Sequence, residues 1–219
     1  MDLTSLLTAR HSCRAFLPDP VPEETIRAVL SLAQRTPSWR NTQAWQVHLV
    51  SGGALERFSR HLLDHVDTGE VHADLELPAY TPVHDRRVVE AERGLHDLLG
   101  IAPDDEPARE QQARENFRFY GAPHTAVLTT DRDLGAYGVF DCGGYATTLL
   151  LAAQEHGLGA IVQGVIAMYS DAVRSWLDLP DDRLVVAAIS FGYADPDHRA
   201  NHHRTTRADL DTVVHRLDS

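Results

Sequence analysis

Apolar side chains recur along this chain at helical and at strand spacing, and the switches between the two lay out the expected elements. Leu3, Leu6 and Leu7 predict a short helix over residues 2–9. From Pro22, Ile26, Val29, Leu30 and Ala33 fall on one helical face, with Glu23 and Glu24 in the first turn, where the helix dipole favours acid. That helix must stop before Pro37, because a residue preceding proline is pushed out of the α region. Trp45, Val47 and Leu49 then alternate with Gln46 and His48, which predicts a half-buried strand broken by Gly52-Gly53. Leu55, Phe58, Leu62 and Val66 return to helical spacing.

The second half repeats these signals. Thr125–Thr130 and Ala160–Gln163 read as strands, and the continuous apolar run Leu184–Phe191 suits the middle of a sheet. Residues 136–156 are apolar on most sides and predict a long buried helix. Gly138, Gly143, Gly144 and Ala146 keep it thin enough for another helix to approach, which also suits a subunit interface. Ser170 and Asp171 start a small helix carrying Val173, Trp176 and Leu177. Leu210, Val213, Val214 and Leu217 predict a last amphipathic helix, with Thr206 and Asp209 at capping-box spacing. Residues 67–118 break the pattern: they are rich in Asp, Glu, His and Pro, with polar helices expected near 84–99 and 107–118. They are either a solvated excursion or a lid over a site. Residues 1–219 thus read as one α+β domain, a short sheet with helices on both faces.

Composition removes several function classes. A net charge of -12 leaves no cationic face for a general nucleic-acid binder. No apolar run is long enough to cross a bilayer and the first residues lack a signal-peptide pattern, so a cytoplasmic protein with no membrane partner is expected. Cys13 and Cys142 alone make neither a disulfide framework nor a thiolate zinc site. His198, His202 and His203 are the one metal-like cluster, but Arg199 and Arg204 beside them would repel a cation, so no metal is expected. No Gly-x-Ser-x-Gly elbow is present, and Gly157-Leu158-Gly159 follows a helix instead of opening one, which excludes a dinucleotide fingerprint. The chain has no lysine at all, so a bound phosphate must be held by arginines, hydroxyls and backbone amides.

Two stretches carry candidate chemistry. Arg10-His11-Ser12-Cys13-Arg14 sets two guanidinium forks and a hydroxyl in one turn, a donor set that matches a phosphate ester. Thr36-Pro37-Ser38-Trp39-Arg40-Asn41-Thr42-Gln43-Ala44-Trp45 offers amides, hydroxyls and a flat indole; Trp39 is either a stacking surface or core packing.

Four phrases in order resemble the nitroreductase family of FMN-dependent oxidoreductases: Arg-His-Ser-Cys-Arg-Ala-Phe at 10–16, Pro-Ser-Trp-Arg-Asn-Thr-Gln-Ala-Trp at 37–45, Gly-Leu-Gly-Ala-Ile-Val-Gln-Gly at 157–164, and Phe-Gly-Tyr-Ala-Asp-Pro-Asp at 191–197 followed by Arg-Thr-Thr-Arg-Ala-Asp-Leu at 204–210. The resemblance implies a mainly antiparallel sheet flanked by helices, in an intertwined homodimer with FMN at the subunit interface. It places Arg10, Ser12, Arg204 and Arg207 on the FMN phosphate, and His11 and Arg14 beside the ribityl chain or pyrimidine ring. Pro37, Ser38, Trp39, Asn41 and Gln43 would line the isoalloxazine and ribityl, and Gln163 and Gly164 would offer backbone N–H groups near N5 and O4. Many relatives use a lysine near the flavin C2 carbonyl; here an arginine must serve, Arg14 or Arg86. Ala44 stands where the family usually has proline.

The activity implied is reduction of a flat, electron-poor small molecule, such as a nitroaromatic or quinone, by NADH or NADPH in two-electron steps. The flavin carries the hydride, so no dedicated catalytic side chain is expected. Trp39, Arg40 and the 67–118 segment would form the substrate-facing wall. The same scaffold also hosts dehalogenases, flavin-cleaving enzymes and azoline dehydrogenases, and a flavin-binding protein without turnover is a further alternative.

Overall fold

The structure, a computed structural model, describes residues 1–217; Asp218 and Ser219, the end of the predicted domain, lie outside the described residues. Its centre is a four-stranded sheet of β1 (Trp45–Ser51), β2 (His124–Asp131), β3 (Gly159–Gln163) and β4 (Arg183–Gly192). The order is β1-β2-β4-β3 and every pairing is antiparallel, with a bulge between Leu128 and Thr129. The apolar run 184–191 therefore does lie inside the sheet, where a strand has neighbours on both sides.

Strand alternation sends side chains to two cores. On one face Val127, Ile161, Val185 and Ala188 meet Leu55, Phe58 and Leu62 of α3 (Gly52–Val66) and Val173 of α7 (Ser170–Leu177). On the other, Ala126, Leu128, Ile189 and Phe191 meet Ile26 and Val29 of α2 (Glu23–Ala33) and Cys142, Tyr145 and Leu149 of α6 (Gly135–Glu155). Burying each Val, Leu, Ile or Phe among them stabilises the fold by roughly 1.5–3 kcal/mol. The architecture is the α+β sandwich expected from the sequence, with α1 (Leu3–Ala9) packed against α6.

Three local expectations change. In β1, Leu49 is exposed and Val50 takes the buried position, because β1 is an edge strand whose far end turns into α3 through Gly52, at φ +55°. α6 buries only one side: Cys142, Tyr145 and Leu149 face the sheet and Asp141 is buried beside residues 39–42, while Tyr137, Phe140, Gly143, Gly144 and Thr147 are exposed. The last helix is reduced to one 3-10 turn, Leu210–Thr212. The Thr206 hydroxyl bonds Glu90 instead of capping, and an apolar stripe left largely exposed does not hold so short a helix in water.

The excursion contains α4 (Pro82–Leu99), which Gly100 closes at φ +73°, and α5 (Glu106–Arg114), shorter than its predicted span. Both ends of the segment are tied down. Asp74 accepts from Arg174, Arg132 and the backbone N–H of Val185, and the Gln163 amide donates to the Asn116 carbonyl at 2.7 Å.

Candidate active site

Opposite ends of the chain meet in one cavity of about 420 Å³, lined by Arg10, His11, Ser12, Arg14, Arg204 and Arg207 among others. The clasp is Asn201, which is buried. Its side-chain oxygen accepts the Arg14 N–H at 2.7 Å, and its amide nitrogen donates to the carbonyls of Ala15 and Asp195, each at 2.8 Å. Cys13 points down between them as a plug. Its backbone N–H donates to Ala160 of β3, and a Cβ on Gly159 would sit 2.8 Å from its sulfur, so glycine is required there. Burial pushes the Cys13 thiol up to about 11, so it packs and does not react.

The electrostatics of the cavity point to an anion. Among the described residues no carboxylate pairs with Arg10, Arg14, Arg204 or Arg207. Arg204 and Arg207 donate only to neutral backbone carbonyls and the Thr205 hydroxyl. Burial first, and then the neighbouring charges of Arg207 and Arg204, lower the pKa of Arg10. His11 adds a different demand. Its Nδ1 faces the Ala9 carbonyl at 3.2 Å and so carries the proton, leaving a buried Nε2 lone pair with no partner. Three forks suit a phosphate and the bare acceptor suits a hydroxyl, which together fit a phosphorylated polyol such as the ribityl phosphate of FMN.

Arg14 also borders a second space of about 350 Å³ that contains Gln163 and Gly164 and is roofed by α4 through Glu92 and His96 and by α5 through Arg109, with Asn116 just beyond α5. The Gln163 side chain is committed to Asn116 and Ser190, so only backbone groups at 163–164 remain to meet a ligand. Arg86 sits on the exposed side of α4 and lines neither space, whereas Arg14 lines both.

The 37–43 loop lies elsewhere in the chain. Pro37, Ser38 and Trp39 line a cavity of about 590 Å³ with Tyr137, Phe140 and Asp141 of α6, and share no lining residue with the arginine cavity. The loop backbone is strained: Arg40, Asn41 and Gln43 sit at φ +49°, +61° and +49°. Each left-handed non-glycine residue costs energy and persists only where its surroundings impose it. Here the Gln43 N–H donates to the Ser38 hydroxyl at 2.9 Å, and Asp141 accepts the Trp39 N–H at 3.0 Å and the Thr42 hydroxyl at 3.3 Å. Trp39 itself is 53% exposed and stacks on Tyr137, so it is a surface ring and not core packing.

A sequence profile of the nitroreductase family matches residues 7–193. The chain belongs to that family. It is 39% identical over 209 residues to nitroreductase NfnB of Mycolicibacterium smegmatis, covering 94% of this chain and 88% of the relative. It is 32% identical over 221 residues to the chloronitrobenzene nitroreductase of Comamonas testosteroni, covering 97% of each. The crystal structure of the FMN and NADPH-dependent nitroreductase NfnB from a Sphigopyxis strain superposes with a TM-score of 0.96 at 29% identity, covering 100% of both chains.

For a nitroreductase-family chain, three residues escaped the sequence reading. Asn201 and Asp141 carry no motif signal of their own. A buried asparagine in a tail and an acid in the middle of an apolar helix are the only hints, and neither says anything until its partners are known. Arg109 borders the Gln163 space from α5, inside the stretch where no family phrase was legible.

Proposed function

We propose that this protein is an FMN-dependent, NAD(P)H-using oxidoreductase that reduces nitroaromatic and related flat electron-poor acceptors. The observation that carries the reading is the arginine cavity: Arg10, Arg14, Arg204 and Arg207, from both ends of the chain, meet there with no acid among its described lining residues and no carboxylate in ion-pair contact. The NADPH dependence of the Sphigopyxis relative and the substrate in the name of the Comamonas relative support the reductant and the acceptor class.

Bound FMN supplies the hydride carrier between nicotinamide and acceptor. Arg10, Ser12, Arg204 and Arg207 hold its phosphate, and the His11 Nε2 accepts from a ribityl hydroxyl. Arg14, which lines both spaces, stabilises negative charge at the pyrimidine end, and the backbone at Gln163 and Gly164 donates toward the ring. Arginine cannot give up a proton at neutral pH, so protons for the reduced product come from solvent.

Pro37, Ser38, Trp39, Asn41 and Gln43 serve the flavin from a second copy of the chain. Their separation from the arginine cavity supports this, as do two unpartnered apolar surfaces. These are the outer face of α6 and the tail carrying Leu210, Val213, Val214 and Leu217. The working unit is a homodimer with two sites, each built from both chains. Residues 67–118 act as a lid, since α4 and α5 roof the Gln163 space.

The test is the absorbance of the purified protein followed by anaerobic titration with NADPH and NADH. A yellow protein bleached by either, and recoloured by a nitroarene, is the expected result. A yellow protein that neither nicotinamide bleaches is a flavin binder without turnover, and a colourless one that takes up no FMN ends the proposal.

A further inference from the structure

Three aromatic rings stand together on the outside of the chain. Trp39 stacks on Tyr137 with centroids 4.8 Å apart and planes at 29°, and Phe140 lies one helical turn further along α6. Tyr137 is 56% and Phe140 78% exposed, although large apolar rings are costly to leave in water. They line the same cavity of about 590 Å³ as the 37–39 backbone.

The loop and the start of α6 are one rigid piece. Asp141 is 3% exposed, and it ties the Trp39 N–H and the Thr42 hydroxyl to the helix that carries Tyr137 and Phe140. Wherever the 37–43 loop meets a flavin, these two rings arrive beside it. Ring faces carry negative charge density and attract rings depleted by nitro or carbonyl groups in offset stacks. Arg40, exposed and without an ion-pair partner among the described residues, adds a positive group for a nitro or carboxylate oxygen.

We infer that Tyr137 and Phe140 are specificity-determining residues, forming with Trp39 the wall that holds the ring of a planar, electron-poor aromatic acceptor. The inference rests on the flavin reading above and goes beyond it by naming which α6 side chains select the acceptor.

The experiment compares Tyr137→Ala, Tyr137→Phe and Phe140→Ala with the unchanged FMN holoenzyme. Steady-state kinetics with 4-nitrobenzoate and with ferricyanide, a small acceptor with no ring, give the ratio of the two kcat/KM values. FMN affinity and mass in solution are measured alongside. Each alanine variant is expected to lower the ratio by roughly three- to tenfold, mainly through KM for the aromatic acceptor, with FMN affinity and mass retained. Tyr137→Phe keeps the ring and restores the ratio. An unchanged ratio overturns the inference, and so does dissociation to monomers, since the rings would then be packing between copies. A flavoenzyme with an unchanged ratio sinks this inference alone, whereas an unchanged chain that binds no flavin sinks it together with the proposed function.

Discussion

Both oxygens of the buried Asp141 carboxylate lie within 3.1 Å of the Trp39 backbone nitrogen, so one side chain of α6 fixes the start of a loop containing three left-handed residues. The strain in that loop is held by this contact and by the Ser38 hydroxyl. Asp141→Ala leaves the Trp39 N–H and the Thr42 hydroxyl without their acceptor, and is expected to cost about 2–3 kcal/mol of stability in urea unfolding. Asp141→Asn keeps one accepting oxygen and is expected to lose less than the alanine variant. FMN affinity should fall with both, because the loop relaxes out of its ligand-facing form. Equal stability in all three proteins would show that the loop holds its shape unaided.

That loop also marks where the sequence stops being informative. The order of strands and helices was legible because period and burial coincide: Ile26 and Val29, or Phe58 and Leu62, repeat on one face and are buried on it. The arginine cavity was legible because phosphate chemistry dictates its residue types, and a chain without lysine has few alternatives. Left-handed backbone at Arg40, Asn41 and Gln43 leaves no such trace, since glycine, its usual mark, is absent from the loop. The tail failed for the opposite reason. Leu210, Val213, Val214 and Leu217 do have helical spacing, but the pattern states a need for a partner surface and a lone chain offers none.

Acid should weaken the fold through its histidines. Burial is the first cause lowering the pKa of His11, His48, His124 and His203 below 6.5, with Arg204 and Arg14 adding repulsion at His11 and His203. The unfolded chain titrates near the unshifted value, so below pH 6.5 it binds more protons than the folded one. Stability is therefore full above 6.5 and drops as pH falls from there toward the lowered folded values. A phosphate in the arginine cavity offsets the charge around His11 and His203, so FMN should shrink the loss. Thermal unfolding across this range, with and without FMN, checks both parts; a Tm independent of pH through 6.5 would refute the first.

Arg10 separates the demands of the ligand from those of the fold. It crowds Arg204 and Arg207 and has no carboxylate partner among the described residues, so the free protein gains nothing from its charge. Arg10→Gln should leave the unfolding midpoint of the ligand-free protein unchanged or slightly raised. FMN affinity should fall by roughly ten- to a hundredfold, the worth of a charge-assisted hydrogen bond. Riboflavin, which lacks the phosphate, should bind the variant and the unchanged protein alike. A parallel loss of riboflavin binding would mean that Arg10 shapes the cavity and does not read the phosphate.

The tail tests the two-chain site. Leu210, Val213 and Val214 are 68%, 60% and 45% exposed around a single 3-10 turn, Leu210–Thr212. Packed on a second copy, the same side chains would bury apolar area worth roughly 1.5–3 kcal/mol apiece, enough to stabilise a helix that is marginal in water. Leu210→Asp with Val213→Asp places two charges in that contact, adding a desolvation cost to the lost burial. Sedimentation should show dissociation to monomers at concentrations where the unchanged protein is dimeric, together with weaker FMN binding, since the 37–43 loop would no longer reach the arginine cavity of its neighbour. Helical content should fall as well, because the last helix would exist only in the assembled protein. A variant that stays dimeric and holds FMN as before would place the subunit contact on α6 alone.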